Sequence, residues 1–318
     1  MDMVRLGRTD LRASVAGLGC GGHSRLGMAR GENEAHASRI VKHALALGIN
    51  FIDTARGYGT EAAVGKAISG KRDQVILSTK ASLRRRGVAR VPPGTVSARD
   101  LVDSLEKSLA AMATDYVDVF HIHGLHVDQY DYAMKEILPA MKEQQRLGKI
   151  RFLGVTETFG RDSSHEMFKT ALPDDPFDVV MVGFNLLNPS ARTSVFPLTL
   201  EKDVGTLIMY AVRRALSNPQ SLQDALEKII AAGQIGGGRL HGKNPLGFVS
   251  EHPEISSIVQ AAYRFCRHEP GADVILTGTG STEHLEENVA SILAPPLPED
   301  VMNELTALFG EVDCVSGN

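Results

Sequence analysis

A carboxylate and a phenol lie close together just after a short apolar run in the first sixty or so residues. Asp53 ends the run NFID, and Tyr58 follows in the glycine-rich turn ARGYGT. Binding and catalytic groups are often carried by loops that a rigid scaffold holds in place. We therefore expect Asp53 and Tyr58 to take part in proton chemistry.

Two further polar residues follow other apolar runs, namely Lys80 after QVILST and His123 at the end of YVDVFHIH. A free phenol has a pKa of about 10, which is too high for efficient proton exchange near neutral pH. A nearby ammonium favours the phenolate, and a carboxylate can hold that ammonium in place. Lys80, held in place by Asp53, is thus predicted to lower the pKa of Tyr58, and His123 is predicted to orient the oxygen that exchanges the proton.

Short apolar runs alternate with amphipathic patterns of helical period along most of the sequence, which predicts parallel βαβ units. The predicted strands are 14–19, 50–53, 74–79, 116–122, 151–155, 177–183, 205–210 and 273–277, and the predicted helices include 33–47, 97–113, 131–147, 220–232, 281–293 and 299–310. Eight such strands predict a closed (β/α)8 barrel, with residues 1–318 forming one domain. An open doubly wound sheet is the alternative, but the glycine-rich segment 17–27 lacks the helix that should follow it directly.

Active sites of such barrels lie at the C-terminal ends of the strands, so Asp53, Tyr58, Lys80 and His123 are predicted to meet at one rim. Between the seventh and eighth predicted strands, residues 211–272 form a connection of about sixty residues, longer than an ordinary crossover. It includes the glycine-rich stretch GQIGGGRLHGKNPLG. We predict that this insertion is a lid over the substrate.

The segment GINFIDTARGYGTEAAVG at 48–65 resembles the first signature of the aldo-keto reductase family. The positions in register are Gly48, Asp53, Thr54, Ala55, Tyr58, Glu61 and Gly65. The resemblance implies a (β/α)8 barrel whose floor is closed by an N-terminal hairpin within 3–12. It also implies that Asp53, Tyr58, Lys80 and His123 form a catalytic tetrad. A nicotinamide dinucleotide would exchange hydride with a small-molecule carbonyl or alcohol substrate.

The same resemblance implies where the dinucleotide binds across the rim. Tyr210 matches the residue that stacks on the nicotinamide, Glu287 and Asn288 match the adenine contacts, and the turn at 278–280 opens a helix whose N-terminus favours phosphate. The predicted cofactor-binding residues are Gly21, Asp53, Thr156, Glu157, Met181, Tyr210, Arg213, Arg214, Gly278, Thr279, Gly280, His284, Glu287 and Asn288.

Several of these positions depart from the family pattern. Thr156 and Glu157 replace a serine–asparagine pair, and Met181 replaces a glutamine that helps to hold the carboxamide. Residues 270–298 contain no Lys or Arg, and His284 stands where an arginine is common, so NAD is mildly favoured over NADP. Arg213 and Arg214 either clamp the pyrophosphate or form surface ion pairs.

We therefore expect an oxidoreductase, plausibly an NAD-linked dehydrogenase of sugars or polyols. An NADPH-dependent aldehyde or ketone reductase is the alternative within this class. Two alternatives belong to other functional classes. One is a redox-sensing regulatory subunit that binds the cofactor, and the other is a lyase or isomerase in which Lys80 forms a Schiff base. A metal site at His121, His123 and His126 is a weaker alternative, since no carboxylate or cysteine follows at ligand spacing.

The overall composition restricts the possible partners. The formal net charge is -4, which gives no basic field for nucleic acid or an anionic membrane. The three cysteines have no metal or redox spacing. The first residues are too polar for a signal peptide, and no apolar run approaches the ~20 residues of a membrane span. We expect a cytoplasmic monomer or small homo-oligomer.

Overall fold

The computed structural model describes residues 1–83, 96–235 and 244–318. In this part of the chain, eight parallel strands close into a barrel in which neighbours in sequence are neighbours in space. A short antiparallel pair, β1 with β2, precedes the barrel. The strands are β1 Met3–Arg5, β2 Arg12–Ser14, β3 Ala16–Gly19, β4 Phe51–Asp53, β5 Ile76–Ala81, β6 Val117–Leu125, β7 Ile150–Glu157, β8 Val179–Gly183, β9 Gly205–Met209 and β10 Val274–Thr277.

Helices surround the barrel and connect its strands, which confirms the (β/α)8 architecture. The helices that the sequence predicts are found with bounds that differ by no more than one residue, although 131–147 is divided by a π-helical segment, Ala133–Ile137. They are α1 Glu34–Ala46, α2 Glu61–Ile68, α3 Ala98–Met112, α4 Tyr130–Tyr132, α5 Leu138–Arg146, α6 Glu166–Asp174, α7 Ala191–Ser194, α8 Phe196–Glu201, α9 Arg214–Ser217, α10 Pro219–Ala231, α11 Gly247–Ser250, α12 Ile258–Arg267, α13 Thr282–Ile292 and α14 Glu299–Phe309. The assignment of 1–318 to one domain stays a prediction.

The apolar core has two layers, as a barrel requires. One layer lies between the strands and the helices and includes Ile52, Leu77 and Phe120. The other fills the inside of the barrel with side chains such as Phe51 and Val119 from alternate strand positions. Since successive residues of a strand face opposite sides, a continuous apolar run such as VILS supplies both layers.

The β1–β2 hairpin covers the N-terminal end of the barrel, as predicted. Leu6 and Leu11 between its strands are buried with the inner layer. Gly7 permits this approach, because its φ is +47° and an added Cβ would lie 2.2 Å from the backbone nitrogen of Gly205. The floor of the barrel is thus closed by apolar side chains and close backbone contact.

Strands β6 and β7 extend further than the sequence predicts. We expected them to end at 122 and 155, whereas they reach Leu125 and Glu157, which pair with each other beyond an irregularity in register. Inter-strand hydrogen bonds, rather than local apolar patterning, determine these ends. Glu157 consequently belongs to a strand rather than to a loop.

The connection at 211–272 contains α9 to α12, of which α12 packs beside β10. Residues 236–243, within the glycine-rich stretch, lie outside the described residues. Whether this connection moves as a lid stays a prediction.

Candidate active site

A buried ion pair joins the ends of β4 and β5. The Lys80 ammonium donates to both carboxylate oxygens of Asp53, each at 2.5 Å, and the Ser78 hydroxyl donates to Asp53 Oδ1 at 2.9 Å. Asp53 and Lys80 are 3% and 1% exposed. Burial alone would lower the pKa of Lys80, but the charge and hydrogen bonding of Asp53 together with the influence of Tyr58 outweigh it, and the pKa is raised. Lys80 therefore keeps its charge.

Tyr58 lies beside this pair at the end of a single 3-10 turn, Arg56–Tyr58, that follows β4. The Lys80 ammonium is 5.4 Å from the centre of the Tyr58 ring. The Tyr58 hydroxyl is 3.4 Å from His123 Nε2, and the two rings meet edge to face. The structure therefore brings Asp53, Tyr58, Lys80 and His123 together, from three successive strands and the turn after the first.

The electrostatics of Tyr58 differ from the sequence-based expectation. Burial raises the pKa of Tyr58 above its ordinary value, and this effect exceeds the lowering by Lys80. Arg213 also lowers this pKa, whereas Asp53 raises it. Lys80 lowers this pKa as predicted, but sequence spacing shows only the neighbouring charge and not the loss of water, which has the larger effect. Tyr58 therefore carries its proton near neutral pH.

Gly21 provides the space for the Tyr58 ring. A Cβ at Gly21 would lie 2.5 Å from Tyr58 Cε2. Gly21 follows β3 and also lines the cavity described below. Its predicted contact with a cofactor stays a prediction.

His121 faces the interior of the barrel, where the missing side chain of Gly154 leaves room for its ring; an added Cβ there would lie 2.2 Å from Nδ1. Burial and the charge of Lys80 hold the pKa of His121 well below its usual range, so the imidazole is neutral. In the residues that the structure describes, no group of three or more His, Cys, Asp or Glu could hold a metal ion.

A cavity of about 1050 Å³ opens at the C-terminal rim beside Tyr58. It continues past the end of β9 to the turn after β10 and to α13. Of the predicted site residues, it is lined by Gly21, Asp53, Tyr58, Met181, Tyr210, Arg213, Arg214, Gly278, Thr279, His284, Glu287 and Asn288. This volume is at the upper end of the roughly 300–1,000 Å³ typical of ligand sites.

The other predicted cofactor residues lie outside the lining of this cavity. Thr156 Oγ1 accepts the backbone N–H of Gly124 at 2.7 Å. Both Glu157 oxygens are engaged, with the N–H of Gly183 at 2.6 Å and with His165 Nδ1 at 2.8 Å. The carbonyl of Gly280 accepts from His36 Nε2 at 2.7 Å. The geometry gives these three residues partners within the protein, and their role toward a cofactor stays a prediction.

Two aromatic contacts define the setting of Tyr210. The Arg213 guanidinium lies 4.0 Å from the centre of its ring, a cation–π distance. The Phe159 ring meets it edge to face at 5.5 Å. Its φ of 69° places this residue in the left-handed region directly after β9. Such a conformation turns the chain sharply into the segment that carries Arg213.

At the far end of the cavity a hydroxyl network holds Asn288. Its amide donates to Thr277 Oγ1 at 2.9 Å, and the Tyr263 hydroxyl is also 2.9 Å from Thr277 Oγ1. Helix α13 begins at Thr282, with Ser281 as N-cap accepting the N–H of His284. Its N-terminal end adjoins the cavity and favours an anion.

Several residues that were not predicted from the sequence also line this cavity, among them Arg30, Ser256, Ser257, Gln260 and Tyr263. Arg30 could have been noticed from the sequence, because it is a basic residue shortly after the glycine-rich segment 17–27. The others lie at the start of α12 or within it, where Ser257 accepts the N–H of Gln260 as N-cap. No motif identified them, since only the barrel brings α12 beside α13.

The family model described as the Aldo/keto reductase family matches residues 18–309. The chain therefore belongs to the aldo/keto reductase family, and it is an NAD(P)-dependent oxidoreductase. Among the helices of the described ranges, none has the length and apolar character required to cross a membrane.

Individual relatives agree with this assignment. The chain is 28% identical to the aldo-keto reductase YhdN of Bacillus subtilis (strain 168), covering 90% of this chain and 87% of the relative. It is 26% identical to the L-galactose dehydrogenase of Arabidopsis thaliana, covering 98% and 95%. The solved aldo-keto reductase AKR11C1 from Bacillus halodurans, in its holo form, superimposes with a TM-score of 0.74 at 24% identity, over 98% and 97% of the two chains. The likeness to AKR11C1 is a likeness of fold.

Proposed function

We propose that the rim cavity binds a nicotinamide dinucleotide in an extended form, with its nicotinamide beside Tyr210 and Tyr58 and its adenosine beside α13. The residues fit such a ligand. Asn288 presents an amide held by Thr277, and Arg213 and Arg214 present guanidinium groups at the middle of the cavity. At Gly278 the turn passes so close to β3 that a Cβ would lie 2.4 Å from the carbonyl oxygen of Gly19.

The observation that carries this proposal is the Asp53–Lys80 pair beneath the Tyr58–His123 contact at one end of the cavity. The dinucleotide, when bound, supplies or accepts hydride. Tyr58 donates its proton to the carbonyl oxygen during reduction and takes the alcohol proton during oxidation. His123 orients that oxygen, and Lys80 stabilises the phenolate that remains after proton transfer.

Oxidation of sugars or polyols with NAD is the finer function that we favour. No Lys or Arg occurs between residues 270 and 298 to pair with a 2′-phosphate, and the chain resembles L-galactose dehydrogenase over nearly its whole length. Both features support this proposal.

The second candidate is an NADPH-dependent aldehyde or ketone reductase, and the arginines of the cavity favour it. Arg30 lines the cavity on the segment Arg25–Arg30, which packs against the turn after β10, since a Cβ at Gly280 would lie 2.6 Å from the backbone of Gly27. A guanidinium there is able to replace the basic residue that the turn itself lacks. The choice between the two candidates depends on the dinucleotide.

Steady-state kinetics with NAD(H) and NADP(H) distinguish the two candidates. The substrates are a panel of aldoses, polyols and small aldehydes, followed at the nicotinamide absorbance. We expect a higher kcat/KM with NAD. A strong preference for NADP(H) that Arg30→Ala abolishes would support the reductase instead. Arg25→Ala, in an exposed residue of the same segment outside the cavity lining, is the matched control.

The role of Tyr58 is tested by Tyr58→Phe. We expect kcat to fall at least about 100-fold, the usual contribution of a general acid or base, with the dissociation constant of the dinucleotide unchanged. Normal turnover by this variant contradicts the mechanism. If the wild-type protein binds dinucleotide but turns over no substrate in the panel, the regulatory-subunit alternative is favoured. The Schiff-base alternative is disfavoured because Asp53 keeps Lys80 charged.

A further inference from the structure

The carboxylate of Glu157 is buried and faces the protein rather than the cavity. Glu157 ends β7 and is 3% exposed. One oxygen accepts the backbone N–H of Gly183 at the end of β8, and the other contacts His165 Nδ1 at 2.8 Å. Both acceptor groups are therefore used, so Glu157 is not placed to grip a ligand in the cavity.

His165 connects this carboxylate to an aromatic stack. Its ring is fully buried and packs against the ring of Phe159, with centroids 5.3 Å apart and planes inclined by 20°. Its φ of 63° makes it the left-handed residue just before α6, a conformation that costs energy outside glycine. A fixed partner such as Glu157 holds the imidazole in this position.

Phe159 links the stack to Tyr210. Its ring lies directly over Gly183, where an added Cβ would be 2.1 Å from the ring. Gly183 thus contacts both residues: its N–H donates to Glu157, and its lack of a side chain leaves room for the Phe159 ring. The Phe159 ring then meets the Tyr210 ring edge to face, with centroids 5.5 Å apart. A continuous chain of contacts runs from Glu157 through His165 and Phe159 to Tyr210.

We propose that Glu157 and His165 are positioning residues that act through Phe159 to fix the ring of Tyr210 against the nicotinamide. This inference rests on the proposed function, because Tyr210 lines the cavity where the nicotinamide is expected. It assigns the buried pair at the end of β7 an indirect role in cofactor binding. Displacing either member lets Phe159 turn, and Tyr210 then loses the edge contact that fixes its ring.

The test compares two ligands that differ only in the nicotinamide ring. Isothermal titration gives dissociation constants for NADH and for ADP-ribose, or for NADPH and 2′-phospho-ADP-ribose if the wild-type protein prefers NADP. For Glu157→Leu and Phe159→Leu we expect the constant of the whole dinucleotide to rise at least tenfold. That of the fragment should stay within twofold of the wild-type value, since the adenosine end is unchanged.

Two control variants make the result decisive. Glu157→Gln keeps the acceptor for the Gly183 N–H, and its amide can donate to His165 Nδ1 if the imidazole proton moves to Nε2, so it should bind the dinucleotide more tightly than Glu157→Leu. Glu269→Gln removes a carboxylate from another short ion pair, with Arg192 at 2.6 Å, whose residues are absent from the cavity lining. This control should leave both constants unchanged. Phe159→Leu leaves the buried pair intact, so it tests the inference even if Glu157→Leu does not fold.

Two outcomes overturn the inference. If a folded variant weakens both ligands equally, the pair supports the fold alone. If neither ligand is weakened, Tyr210 is independent of Phe159. Failure of the proposed function is distinguishable, because the wild-type protein would then bind no dinucleotide in the first titration.

Discussion

The substitution Gly21→Ala tests the placement of the Tyr58 phenol, the proposed proton donor, with a single methyl group. The added Cβ would lie 2.5 Å, 2.6 Å and 2.9 Å from three carbons of the Tyr58 ring. Because non-bonded carbons approach to about 3.5 Å, the ring must retreat by about 1 Å. The 3.4 Å contact between the Tyr58 hydroxyl and His123 cannot be kept after such a shift.

A misplacement of about 1 Å at a reacting group can cost about 100-fold in rate, or about 2.7 kcal/mol of activation free energy. We expect kcat/KM of Gly21→Ala to fall by about this factor. The free energy of unfolding should fall by only ~1–3 kcal/mol, the usual cost of overpacking, so the protein stays folded. Steady-state kinetics and urea denaturation measure the two quantities.

Gly57→Ala is the matched control, since Gly57 directly precedes Tyr58 and its added Cβ meets no atom within 4 Å. Its kcat/KM should stay near that of the wild type. The double variant Gly21→Ala, Tyr58→Phe should be no slower than Tyr58→Phe alone, because the methyl acts through the phenol. A folded Gly21→Ala protein with kcat/KM within about threefold of the wild type refutes this reasoning.

Three other substitutions test separate parts of the structure. In Lys80→Met the pKa of Tyr58 loses the lowering influence of the ammonium, so the pH profile of alcohol oxidation should move to higher pH; an unmoved profile contradicts this. Burial raises the pKa of Asp273 to about 6, above its unfolded value of about 3.8, so its ionisation destabilises the fold as pH rises through this range. Asp273→Asn should therefore increase the free energy of unfolding by about 1–2 kcal/mol at pH 8, with the gain vanishing towards pH 4 in urea titrations. Leu6→Ala should cost ~2–5 kcal/mol of stability at the barrel floor but leave kcat unchanged, and a loss of kcat in the folded variant would show that the floor and the rim are coupled.

The alternation of short apolar runs with helical patterns was sufficient to predict the barrel, whereas the hairpin before it was predicted from the family resemblance. Strand order and the common rim follow from that pattern, because parallel strands joined by helices place all their C-terminal ends on one side. The convergence of Asp53, Tyr58, Lys80 and His123 was predictable for the same reason. Each residue lies at a strand end or one turn beyond it.

Other features of the site depend on contacts that no local pattern encodes. The direction of the Tyr58 pKa shift results from desolvation, which only the packed structure defines. The inward direction of Glu157 depends on a strand end determined by pairing between β6 and β7, and on His165 arriving from the start of α6. Arg30 and α12 reach the cavity only because the closed barrel brings distant segments together.

The sequence by itself thus determined the class of fold and the types of group available for proton transfer. Periodicity and strand ends are local properties, and a short segment is enough to carry them. The tertiary structure alone decided which groups lose water, which carboxylates are hydrogen-bonded to other residues of the protein, and how much room Tyr58 has beside Gly21. These are properties of packing between segments far apart in the chain, so their physical cause is absent from any stretch of the sequence taken alone.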